Sequence, residues 1–257
     1  MWRFTSGWRT WFIAHVRWLG AAGLASASFV GVEAELVDAT EYGWTYRVYA
    51  SFDAFDDEVV AVYGWAPAPM TLTVQAPLFQ SSSGGPTAEG INPLFFAAFP
   101  DLAYDSWFAL GSEDAGGTSA LNQAGMEASF DAFEAGEGFV LDDPVGGTWF
   151  ITPGTSTEAF AGEDGRVLLG QITATGLTEW TFNVQYIDAN GESQNAEGMV
   201  VSLPQGVELG CTDAEACNYN ADAVAEDGSC DYLSCAVYGC TDPIAVSYTH
   251  LTLPTKA

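Results

Sequence analysis

Between residues 30 and 204 the apolar side chains recur at every second position inside short runs, and clusters of Gly, Pro, Asn, Asp and Ser separate the runs. A period of two puts successive side chains on opposite faces of an extended chain, so each run predicts a half-buried β-strand. Residues 32–37 alternate, and 44–50 are aromatic and β-branched. Further strands are expected over 58–63, 70–75, 106–110, 138–141, 148–152, 166–173, 179–187 and 199–203. The prolines of Ala66-Pro67-Ala68-Pro69 cannot donate to a ladder and divide two of these runs. Asn190-Gly191 marks a tight turn before the last strand. The whole predicts one all-β domain over 28–204, an antiparallel β-sandwich with a well-filled core. Helix is expected only over 92–99, where Asn92 suits an N-cap and Pro93 the first helical position. Leu94, Phe95, Phe96 and Phe99 would then plug the core. Trp44, Trp107, Trp149 and Trp180 supply core bulk, whereas Gly64 and the Ala-Pro pairs put Trp65 in a loop.

Charge narrows the partners. Six basic residues oppose 34 acidic ones, for a net charge of −28. Arg3, Arg9 and Arg17 lie near the start and Lys256 near the end, so only Arg47 and Arg166 accompany the 34 carboxylates between residues 28 and 245. Such a surface repels phosphates and anionic membranes, which excludes nucleic acid as a partner. Most of these carboxylates are expected to form a solvated coat. His15 and His250 are the sole histidines and fall outside the predicted domain. That removes Ser-His-Asp chemistry, His-ligated zinc and histidine bases, and leaves carboxylates, tyrosine or a metal for any catalysis.

Residues 1–27 read as a secretory signal: arginines precede the apolar stretch 18–25, and Ala25-Ser26-Ala27 gives a small-x-small cleavage pattern. No later run of about 18 apolar residues occurs, so no integral membrane span is expected after signal removal.

Beyond a linker at 205–209, Gly210-Cys211-Thr212-Asp213 begins a unit that starts again at Gly239-Cys240-Thr241-Asp242. A unit this short cannot bury a core, and covalent links or metal must replace hydrophobic burial. Cys211, Cys217, Cys230 and Cys235 lie in the first unit, 210–238; four cysteines permit three pairings, and spacing does not choose among them. Cys240 opens a truncated second unit, 239–245.

The order Gly-Cys-Thr-Asp, Ala216-Cys217-Asn218-Tyr219-Asn220, Asp227-Gly228-Ser229-Cys230 resembles repeats found toward the C-termini of secreted proteins of marine Bacteroidetes and related environmental sequences. In those repeats the second cysteine is sometimes aromatic while the first and the DGSC cysteine remain. The resemblance therefore implies Cys211 with Cys230, leaving Cys217 for Cys235. Residues 45–50, 91–95, 104–107 and 147–153 are similar to the N-terminal domain that accompanies such repeats, which carries no assigned biochemical role. Residues 246–255 look like the translation of a transposase adapter used in sequencing libraries. The tail 246–257 is thus expected to be exogenous, and the natural chain to continue with further repeats.

Three groups of residues are candidate sites. Asn218, Asn220 and Asp222 at i, i+2 and i+4, with Asp227 beyond, offer the oxygens that calcium requires. Ala223 and Ser229 depart from an EF-hand, and the competing reading is a set of Asx turns pinned by disulfides. Asp53, Asp56, Asp57 and Glu58 crowd one loop and Asp142-Asp143 another, suiting calcium, a glycosidase carboxylate pair, or plain solvation. Trp65 is the candidate platform for a sugar ring.

Two functions follow as expectations. The first is a non-catalytic structural and interaction protein, secreted or on the outer cell surface, displaying its sandwich to an extracellular glycan or surface protein. The second is a secreted carbohydrate-binding module or carboxylate-dependent glycoside hydrolase. A concave groove with an exposed aromatic and two facing acids favours the second, and a flat acidic surface the first.

Overall fold

The computed structural model describes residues 28–118, 120–205, 208–223, 226 and 228–235. The expected signal segment, the second unit, the tail and Asp227 lie outside them. The strands are β1 (Phe29–Thr40), β2 (Gly43–Phe52), β3 (Glu58–Gly64), β4 (Met70–Val74), β5 (Trp107–Phe108), β6 (Asn122–Ala124), β7 (Phe139–Leu141), β8 (Gly147–Phe150), β9 (Arg166–Ala174), β10 (Thr178–Ile187) and β11 (Ser193–Leu203). One sheet runs β1-β2-β9-β5; the other runs β6-β8-β3-β10-β4-β7, with β11 on the far side of β10. Neighbouring strands pair antiparallel, and the fold is an all-β sandwich.

Alternation along β2 and β10 builds the interior. Tyr46, Val48, Ala50 and Phe52 point inward from β2, and Trp180, Phe182, Val184 and Tyr186 from β10. Between the sheets Phe108 lies 4.6 Å from Trp149, whose ring lies 6.0 Å from Trp180. Stacked pairs of this kind contribute about 0.5–1.5 kcal/mol each beyond the area they bury. A short helix, α1 (Glu127–Glu134), closes one end with Phe130 and Phe133. Neither α1 nor β6 is among the expected elements.

The first sheet has a second apolar cluster on its outer face, where Tyr49 and Leu168 meet Ala88, Ile91, Leu102 and Trp107. This corrects the expectation for residues 92–99. Asn92 does cap a 3-10 turn at Pro93–Phe95, its side chain accepting from the Leu94 N–H. The turn plugs nothing, because the outer face is already filled: Leu94 is 86 % exposed, and only Phe96 packs against the cluster.

Two local irregularities shape the surface of the larger sheet. β3 and β4 both run antiparallel to the same side of β10, Tyr63 opposite Asn183 and Thr71 opposite Thr181. They form one interrupted edge, and residues 65–69 loop out of it at the proline-rich stretch. On the other side of β10 the register slips between Phe182 and Val184, so β11 places both Glu197 and Gly198 opposite Asn183. Gly198 has φ +68°, the left-handed conformation such a bulge asks of glycine.

Candidate ligand-binding groove

The outer face of the larger sheet carries a groove of about 650 Å³, within the range of small-ligand sites. Strand register explains its shape. One row across the sheet reads Asn195, Gln185, Ala61, Phe150 and Asn122; the next reads Asn183, Tyr63, Thr148 and Ala124. Ala61 and Ala124 are short side chains among long ones, and the floor sinks where they lie. Gly146, at φ +71°, lets the loop before β8 approach the end of β3, since a Cβ there would collide with the Gly64 carbonyl and Trp65. Trp65 and Val145 stand at the rim, 42 % and 91 % exposed.

Trp65 is held out by backbone bonds. Its N–H donates to the Ala68 carbonyl at 3.0 Å, and the Ala68 N–H donates back at 2.9 Å. The Ala66 N–H donates to the Asp143 carbonyl, while the Asp143 carboxylate accepts from the Val145 and Gly146 N–H groups at 2.7 and 2.9 Å. Those backbone N–H groups hold the Asp143 carboxyl below the usual range. Asp143 is thereby a clasp between the two rim loops.

Asn183 ties the rim to the floor. It is fully buried; its amide donates to the Tyr63 and Ala68 carbonyls at 2.9 and 2.7 Å, and its oxygen accepts from the Gly198 N–H at 2.8 Å. One side chain thus fixes the base of the Trp65 loop and the bulge that carries Glu197.

In the groove the Tyr63 hydroxyl donates to Glu197 Oε1 at 3.0 Å. Burial, aided by that carboxylate, pushes the phenol up to about 12, so Tyr63 remains a donor at any physiological pH. Gln185 and Asn195 add amide groups that both donate and accept. Glu197 is the one carboxylate lining the groove among the described residues, and no cation lines it.

The acidic loops named from sequence do not converge. Asp57 is fully buried and accepts from the Ala189 N–H, and Glu58 accepts from the Gly154 N–H at 2.6 Å. Asp53 and Asp56 are exposed. Asp142 and Asp143 belong with the Trp65 loop at the other end of β3, roughly 20 Å away, whereas a glycosidase pair needs about 10 Å or less.

In the terminal unit the structure joins Cys211 to Cys230 and Cys217 to Cys235. Asn218 accepts from the Asp231 N–H at 2.7 Å, a tie across the unit, and Asn220 accepts from the Asp222 N–H at 3.0 Å in a local turn, so both amide oxygens already hold backbone N–H groups. Asp222 is exposed, and Asp227 lies outside the described residues. Cys211, Glu226 and Cys230 form the one three-donor cluster of His, Cys, Asp and Glu among the described residues, but its two sulfurs are bonded to each other.

No protein family, curated protein or solved structure matches this chain. No helix among the described residues is long and apolar enough to cross a membrane.

Sequence reasoning identified Trp65 but missed Tyr63, Gln185, Asn195 and Glu197. The stretch 193–198 is polar and carries a glycine, which hides a strand. The signal was the alternation in Gln185 and Asn195, which becomes informative once the Asn190-Gly191 turn fixes the hairpin register.

Proposed function

We propose that this is an exported, non-catalytic interaction protein whose sandwich binds carbohydrate in the groove beside Trp65. The observation that carries the reading is the juxtaposition of an exposed indole, an aromatic floor from Tyr63 and Phe150, and fixed amide and carboxylate groups. Sugars present both kinds of surface: C–H faces that lie on aromatic rings, and hydroxyls that pair with amides and carboxylates. Glu197 is the one carboxylate lining the groove among the described residues, where a glycosidase uses an acid and base pair, and this favours binding over hydrolysis. The two disulfides suit an oxidising, extracytoplasmic setting, and the acidic coat suits solubility there. The terminal unit then acts as a covalently braced spacer, with calcium a further ligand to be tested.

The test is retention of the whole chain on a panel of insoluble polysaccharides, alongside Trp65→Ala. The reading requires at least one polysaccharide that retains the native chain and releases the variant. Equal retention of both, or of neither, on every matrix removes it.

A further inference from the structure

We propose that the groove selects neutral glycans and rejects uronic-acid and sulfated ones. The inference rests on the carbohydrate reading above and adds the charge class of the ligand. The Tyr63 hydroxyl donates to Glu197 Oε1 at 3.0 Å, which orients that side chain as an acceptor among the groups lining the groove. A carboxylate so oriented accepts from sugar hydroxyls, most strongly from two on neighbouring carbons. It repels a carboxylate or sulfate brought to the same place.

Nothing nearby reverses that sign. The described residues hold two cations, Arg47 and Arg166, and both lie on the other sheet. Arg47 pairs with Glu113 at 2.9 Å. Arg166 pairs with Glu35 at 2.9 Å and stacks over the Tyr49 ring. An anionic polymer approaching the groove therefore meets the acidic field of the whole domain and, at contact, Glu197 with no counter-charge. Gln185 and Asn195 flank the carboxylate along β10 and β11 and, being uncharged, discriminate by hydrogen-bond geometry. Ala61 between Gln185 and Phe150 leaves the floor low enough for a ring to lie across the strands.

Affinity electrophoresis of the whole chain tests this with hydroxyethyl cellulose and galactomannan as neutral probes, and polygalacturonate and a sulfated galactan as anionic ones. Chelator is present to prevent cation bridging, and runs are made at 0.15 M and 1 M salt. The native chain is expected to be retarded by a neutral polymer and at least tenfold less by either anionic one at 0.15 M. Trp65→Ala abolishes the retardation. Glu197→Gln weakens neutral binding severalfold and narrows the gap to the anionic polymers. Retardation by an anionic polymer that equals or exceeds the neutral one and still depends on Trp65 overturns the selection while leaving carbohydrate binding intact. Absence of retardation by all four polymers, or retardation indifferent to Trp65, overturns both.

Discussion

Replacing Asp105 by Asn should remove the pH dependence of one sizeable part of this protein's stability. Asp105 is fully buried behind the outer-face cluster; its carboxylate accepts from the Ser81 N–H at 2.7 Å and the Gly85 N–H at 3.3 Å. Burial raises its pKa from 3.8 to about 7; the Glu134 carboxylate adds to the rise, and the backbone N–H groups of Ser81, Gly85 and Ser106 oppose it. A carboxyl whose folded pKa lies above its unfolded value holds a proton that the unfolded chain has already released. Stability therefore falls as pH rises from about 4 to about 7 and levels off above that. Three pH units at about 1.4 kcal/mol each give roughly 4 kcal/mol. Asn keeps the acceptor for Ser81 but presents an N–H₂ to Gly85, which costs about 1 kcal/mol at every pH. Urea unfolding from pH 4.5 to 8 should show the variant slightly weaker than the native chain at the acid end and about 3 kcal/mol stronger at the alkaline end. The general repulsion among the carboxylates is common to both chains and cancels in the difference. Parallel stability curves would refute the reasoning.

Asn183→Ala removes a donor from the Tyr63 and Ala68 carbonyls and the acceptor of the Gly198 N–H, the Ala68 carbonyl keeping the Trp65 N–H; urea unfolding should show a loss of about 2–3 kcal/mol, with glycan affinity lost in the folded fraction. Removing the Cys217–Cys235 bridge by a double serine substitution should destabilise the terminal unit by about 3 kcal/mol, read as limited proteolysis within 210–235 while 28–204 stays intact. Calorimetric calcium titration of the oxidised chain should give no millimolar-range heat, because the Asn218 and Asn220 oxygens already accept from the Asp231 and Asp222 N–H groups. A clear binding isotherm would return these residues to the role of ligands.

The architecture was legible because most runs are buried on one face, and a two-residue period then fixes which face. β10 is the clear case, its inward residues being the apolar ones of the alternation, whereas β2 also carries Tyr49 outward beneath the second cluster. β6 escaped notice because all three of its residues are exposed and carry no apolar signal. α1 escaped because eight residues with two buried phenylalanines resemble a loop touching the core. The aromatic turn at 93–95 was misjudged for a different reason: sequence reports that side chains are apolar, but not whether the surface beneath them is already covered. Trp65 was singled out correctly as a loop residue, since proline punctuation is local. Its companions come from three strands, and only long-range register brings Tyr63, Gln185, Asn195 and Glu197 together. The acidic loops misled because adjacency in sequence says nothing of direction: Asp57 turns into the fold to hold Ala189, and Asp143 turns onto its own loop.

The central claim is that ligand enters beside Trp65, and heteronuclear NMR during titration with a neutral oligosaccharide tests it most directly. The expected perturbations are the Trp65 indole N–H, the Gln185 and Asn195 side-chain amides, and the backbone of 146–148. Shifts centred instead on Arg47, Phe95 and Phe99 across the other sheet, with the Trp65 indole unmoved, would contradict the account.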